Sequence, residues 1–194
     1  FRTIVIHIQI LDTTMVESKF TLEEQMMARA ISNATKARPR CMPNPWVGAV
    51  LVSSDGQTFD GFTQEFGSGH AETVCLNEAG RKAQGATLYV TLEPCSHSGK
   101  TGPCVERIIE SRISRVVIGI KDPDRQVCGE GIKSLQNAGV DVVVGVLEDL
   151  VAEQLAPYVH HRNTGRPYVI LKIATTLDGN CLLYTSPSPR DRLK

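Results

Sequence analysis

One histidine and two cysteines, His70, Cys95 and Cys104, stand in a spacing that few chain paths can satisfy together. His70 opens the tripeptide His70-Ala71-Glu72, Cys95 follows Pro94 at the end of a β-rich run, and eight residues separate Cys95 from Cys104. Imidazole and two thiolates are ligand types that zinc prefers, and three protein ligands leave one tetrahedral position open for water, as catalytic sites require. Glu72 lies two residues past the histidine, where its carboxylate can reach that open position without binding the metal. The competing use of such a set is a structural zinc with four protein ligands, for which His97 is the nearby fourth candidate.

The surrounding chain must therefore bring three element ends together, and its patterning supplies them. Residues 21–37 read as a helix, with Thr21 and Glu24 in capping-box spacing and Leu22, Met26, Ala30 and Ala34 along one face; the Met26-Met27 pair is assigned to the core. Residues 46–53 and 58–62 read as strands joined by an Asp55-Gly56 turn. A helix is expected from His70 to about Gly85, carrying Val74, Leu76 and Ala79, then a strand over 86–92. Pro103 suits a first helical position and places Cys104 in the first turn, where the helix dipole favours a thiolate. Strand 115–120, helix 131–138 and strand 140–146 complete an alternation that means a layered α/β domain with a parallel portion. The cysteine loop then falls at the carboxyl end of a strand, where open α/β sheets bind ligands.

Composition narrows the function. A chain of 194 residues holds one full domain and a fragment of another. Twenty-one basic and 21 acidic residues balance to zero, which argues against a nucleic-acid surface but leaves room for a small anionic substrate. No apolar run is long enough to span a bilayer, and the apolar opening, residues 1–8, has no clear cleavage site, so the expectation is a soluble cytoplasmic protein with no membrane partner. Six cysteines without a secretory signal fit a reduced interior. Cys41, Cys75, Cys128 and Cys181 are read as free, mostly buried thiols.

The His-Ala-Glu tripeptide, the run Thr91-Leu92-Glu93-Pro94-Cys95-Ser96-His97-Ser98-Gly99-Lys100-Thr101-Gly102-Pro103-Cys104 and Asp122-Pro123-Asp124 together resemble the deaminase domain of the bifunctional riboflavin-biosynthesis deaminase/reductase. The eight-residue cysteine gap is the specific part, because cytidine, deoxycytidylate and transfer-RNA adenosine deaminases close theirs with two residues. The resemblance implies a cytidine-deaminase-like three-layer α/β/α sandwich with a central mixed sheet. It implies one Zn2+ per chain on His70, Cys95 and Cys104, with Glu72 as acid and base. It also implies hydrolysis of 2,5-diamino-6-ribosylamino-4(3H)-pyrimidinone 5′-phosphate to 5-amino-6-ribosylaminouracil 5′-phosphate and ammonia. By motif position Asn44 matches a pyrimidine contact, and His97, Lys100 and Asp122 match residues around the base and the ribose phosphate. Three places depart from the pattern: Thr63 stands where histidine is common, Asp124 where asparagine is, and Gly102 where proline is.

The same resemblance orders the chain as an N-terminal extension over 1–20, a deaminase domain over 21–160, a linker over 161–167, the start of a reductase domain over 168–180 and an unrelated or disordered tail over 181–194. His160 and His161 read as surface residues of the linker. On that reading NADPH belongs to a reductase domain that this polypeptide does not carry in working form, both ends of the reading frame are incomplete, and Met15 is a candidate start. The resemblance leaves open homo-oligomer assembly and the choice between a ribosyl and a ribityl substrate. Two alternatives stand beside it: a cytidine-type nucleoside or nucleotide deaminase, and a zinc-stabilised domain without catalysis.

Overall fold

The computed structural model describes residues 20–38, 40–96, 102–124 and 128–171. Its element order is α1 (Leu22–Ala37), β1 (Gly48–Val52), β2 (Thr58–Phe62), α2 (Ala71–Ala79), a 3-10 turn (Gly80–Ala83), β3 (Thr87–Leu92), α3 (Cys104–Glu110), β4 (Arg115–Ile120), α4 (Glu130–Asn137), β5 (Asp141–Val144), α5 (Glu148–Gln154) and α6 (Ala156–Thr164). The strands form one sheet in the order β2-β1-β3-β4-β5. β1 runs antiparallel to β2 and β3, whereas β3, β4 and β5 are parallel. Helices α1 and α5 pack on one face and α2, α3 and α4 on the other, giving the three-layer sandwich with a mixed central sheet.

Local chemistry explains the element ends. Thr21 caps α1 in a full capping box: its hydroxyl accepts from the Glu24 amide at 3.3 Å, and its own amide donates to the Glu24 carboxylate at 2.7 Å. The face that α1 buries is rotated from the expected one. Met27, Ala30, Ala34 and Ala37 are buried together with Asn33, while Leu22 is 67% exposed. Position 33 is polar and so broke the apolar periodicity, yet its amide is satisfied by Ala49 O and Asp60 Oδ1. β1 starts two residues later than expected, because the Val47 amide donates to the Thr63 hydroxyl, beyond the end of β2. α2 stops at Gly80, whose positive φ of 53° ends the regular helix and passes the chain to a tighter turn.

Close approach of the layers depends on two glycines. A Cβ on Gly48 would lie 1.9 Å from Ala30 O in α1, and one on Gly61 would lie 2.2 Å from Ala71 O in α2. The antiparallel pair β1-β2 is thus clamped by helix backbones on both faces, and α2 is seated so that its first turn points along the edge of the site. The core is aliphatic, led by Met27, Leu51, Leu88, Ile108, Ile118, Leu135 and Leu155. Cys41 and Cys75 are buried as expected, Cys128 is exposed, and Cys181 lies outside the described residues. Among the described residues no helix is long and apolar enough to cross a membrane.

Candidate active site

Three element ends converge on one point. His70 is the N-cap of α2, Cys95 follows the carboxyl end of β3, and Cys104 is the first residue of α3. Pro103 is the residue before α3 rather than its first position, and Cys104 still sits in the first turn. His70 Nδ1 lies 3.6 Å from Cys95 Sγ and 3.3 Å from Cys104 Sγ, and the three donor atoms all lie within 4.8 Å of one another. A tetrahedral zinc with bonds of about 2.0–2.1 Å to nitrogen and about 2.3 Å to sulfur holds such atoms about 3.5 Å apart. The two nitrogen-to-sulfur distances match that spacing, and the set is the one His/Cys/Asp/Glu cluster of this kind among the described residues.

The neck of the cysteine loop is tied by backbone groups. The Cys104 amide donates to Cys95 Sγ at 3.4 Å, and the Val105 amide donates to Cys95 O at 3.2 Å. Both donors belong to the unpaired first turn of α3, which is where a helix can give hydrogen bonds to an anion. Contact with Cys104 and with His70 lowers the Cys95 thiol to about 4 against its burial. The Cys104 thiol is pushed up by that same contact and by burial. A divalent cation removes this asymmetry, since each cysteine binds it as thiolate. The His70 ring is held above its ordinary value, chiefly by Cys95 and against burial.

Glu72 lies in the first turn of α2, beside this cluster, with only 4% of its surface exposed. Burial pushes its carboxyl up to about 7, the Cys95 sulfur adds to the rise, and His70 opposes it. A carboxyl poised near neutrality can both take and give a proton. A cavity of about 160 Å³ opens over these groups. Its wall includes Asn44, Thr63, His70, Glu72 and Cys95, together with Asp122, Asp124, Tyr158 and Arg162. Asn44 and Asp122 line the same cavity as His70 and Cys95. His97 and Lys100 lie outside the described residues. Thr63 is buried, with its hydroxyl accepting from the Val47 amide at 3.1 Å, so it acts as a strand-end clasp as well as a wall of the cavity.

Sequence reasoning missed two parts of the site. The first is Glu93, only 3% exposed. Its two carboxylate oxygens accept four backbone N–H groups: Asp122 at 3.2 Å and Gly129 at 3.0 Å on Oε2, Gly131 at 3.0 Å and Ile132 at 3.3 Å on Oε1. One carboxylate thereby caps α4 and fastens the Asp122 turn next to the Pro94-Cys95 segment. Gly131 must remain glycine for this, as a Cβ there would sit 2.2 Å from Pro94 O. The only sequence signal was an acidic residue ending an apolar strand. The second missed part is α6, which runs to Thr164 through the segment expected to become linker at 161. The Tyr158 hydroxyl donates to Asp122 at 2.9 and 3.1 Å, and Arg162 Nη1 lies 3.3 Å from Asp124 Oδ2. Burial, with Asp124 and Glu93 nearby, raises the Asp122 carboxyl despite the bonds it accepts from Tyr158 and the Asp124 amide.

Comparison with known proteins agrees with this geometry. The family model described as the cytidine and deoxycytidylate deaminase zinc-binding region matches residues 21–120. The chain belongs to this family. Within it, the riboflavin biosynthesis protein RibD of Bacillus amyloliquefaciens is 44% identical over 167 residues, covering 86% of this chain and 45% of that protein. A diaminohydroxyphosphoribosylaminopyrimidine deaminase/5-amino-6-(5-phosphoribosylamino)uracil reductase from Thermotoga maritima superposes with a TM-score of 0.77 at 42% identity, over 84% of this chain and 50% of that one. The Aspergillus oryzae Rib2 deaminase, solved in complex with DARIPP, gives a TM-score of 0.58 at 29% identity over 73% of this chain and 93% of its own. The chain spans about half the length of the curated RibD relatives it matches.

Proposed function

We propose that this chain is a zinc-dependent hydrolytic deaminase of riboflavin biosynthesis, acting on 2,5-diamino-6-ribosylamino-4(3H)-pyrimidinone 5′-phosphate. The observation that carries the reading is the His70, Cys95 and Cys104 cluster with the buried, non-ligating Glu72 beside it. Support for the substrate comes from the eight-residue cysteine gap, from the RibD relatives and from the DARIPP complex of the Aspergillus oryzae protein.

His70, Cys95 and Cys104 would hold one zinc ion per chain. When bound, zinc supplies a Lewis acid that makes water acidic enough to attack near neutral pH. Glu72 takes the proton of the attacking water and delivers it to a ring nitrogen, which makes the ring carbon electrophilic. It then takes the remaining proton of the added hydroxyl and delivers it to the amino group, so that the C–N bond breaks, ammonia leaves and the ring carbon becomes a carbonyl. The high Glu72 pKa suits this, since one group must serve as base and then as acid. Asn44 and Asp122, both in the wall of the cavity, would orient the pyrimidine and the ribose, with His97 and Lys100 of the cysteine loop contributing to the base and the phosphate. The deaminase domain would run from 21 to the end of α6 at Thr164 rather than to 160, and the residues from 168 would begin a reductase-like unit, whose NADPH chemistry is no part of this site.

Two substitutions test the reading by ammonia release and metal analysis. Cys95→Ser should lose both zinc and activity, and Glu72→Gln should keep zinc while turnover falls by about 10²-fold to 10⁴-fold. Near-normal turnover of the Glu72 variant would remove it from the proton path. Activity on cytidine or deoxycytidylate in preference to the phosphorylated pyrimidinone would reassign the substrate.

A further inference from the structure

We propose that Arg162 on α6 is a specificity residue that engages the anionic end of the substrate, a phosphate monoester, at the wall of the cavity that also holds His70 and Cys95; the proposal rests on the deaminase reading above. The charge balance of the wall motivates it. Among the described lining residues four are carboxylic, Glu72, Glu93, Asp122 and Asp124, and Arg162 is the one lysine or arginine. An anion entering beside four acidic groups is repelled unless a cation meets it.

Arg162 is built to be that cation. Its Nη1 is 3.3 Å from Asp124 Oδ2, and its Cζ stands 5.3 Å from the centroid of the Tyr158 ring. Tyr158 is itself anchored by donating its hydroxyl to Asp122. The guanidinium is thus held on one edge by a carboxylate and on one face by a ring, which fixes its plane before a ligand arrives. A guanidinium has five N–H donors in a fork that matches two phosphate oxygens at once. Its side chain is 41% exposed, so the phosphate it meets stays partly in water at the cavity mouth while the ring lies inward. Asp124 then has a positive role: where the resembling family commonly has asparagine, the carboxylate orients the arginine.

The test compares Arg162→Ala and Arg162→Lys with the unaltered zinc-loaded chain on the phosphorylated substrate and its dephosphorylated form. Arg162→Ala should lower kcat/KM for the phosphorylated substrate on the order of ten- to hundred-fold, mainly through KM, while leaving the dephosphorylated form within about two-fold. Arg162→Lys should recover part of the loss, and the preference for phosphate should shrink as salt rises. Equal effects on both substrates would overturn the proposal, as would an unchanged KM for the phosphorylated one. If the unaltered chain released no ammonia from any aminopyrimidine, the deaminase reading would fall. Calorimetric binding of ribose 5-phosphate and of ribose would then decide the role of Arg162 by itself. Binding of the phosphate ester that Arg162→Ala abolishes supports the proposal; equal binding to both proteins, or none to either, overturns it.

Discussion

Replacing Glu93 by glutamine should destabilise this protein far more than its isosteric appearance suggests. The carboxylate accepts four N–H groups, two on each oxygen, and three of these bonds are fully buried. Glutamine keeps one oxygen, and its amide nitrogen must face the other two donors. Two N–H groups then lose their acceptor, at about 1–3 kcal/mol each, and the two surviving bonds lose their charge assistance. The expected loss is about 2–6 kcal/mol, a large share of the roughly 5–15 kcal/mol that holds a domain folded. Urea unfolding followed by circular dichroism measures it, with an unchanged m-value marking an effect on the native state. Glu93→Gln should also release the Asp122 turn and the start of α4, visible as faster amide exchange at Asp122, Gly131 and Ile132. A midpoint shift worth under about 1 kcal/mol, with those amides still protected, would refute the claim that this carboxylate fastens the two loops.

Gly48→Ala should cost about 1–3 kcal/mol or more, because its Cβ would meet the Ala30 carbonyl oxygen and Ala34 amide nitrogen of α1 rather than a movable side chain; thermal unfolding reads this, and an unchanged Tm would show that α1 can slide. Asp60 titrates below the ordinary carboxylate value: burial raises it, but bonds from Arg29 and Asn33 outweigh that. Its contribution should be fully present above about pH 4 and be lost as pH falls through its lowered folded value, with Asp60→Asn flattening that part of the stability curve. Since both partners of the Arg29 pair are more than a third exposed, the pair should be worth less than about 1 kcal/mol.

The contrast between what the sequence told and what it withheld follows from distance along the chain. The His70, Cys95 and Cys104 cluster was legible because each member sits in a short motif at an element boundary, and the strands because apolar alternation and turn residues bounded them. Helices α5 and α6 were not assigned. α5 is only seven residues long and starts after Leu147, a non-glycine residue in left-handed backbone, while α6 carries Pro157 and a polar His-His-Arg-Asn run that buries no residue fully. Glu93 was invisible for another reason. Its partners are backbone amides 29 to 39 residues away, and an amide leaves no mark in the identity of its residue. Asn33 hid in the same way, as a polar side chain buried on account of its hydrogen bonds.

The knot of bonds at the neck of the cysteine loop separates two properties that a single motif would otherwise join. Because Cys95 is fastened to the first two residues of α3 by its sulfur and its carbonyl oxygen, the two thiols are tied to each other by bonds that do not involve the intervening chain. Halving or doubling such a bight alters its closure free energy by only about 0.6 kcal/mol. A change in its length therefore costs little in closure, while it changes which side chains the loop can present beside His70, Cys95 and Cys104.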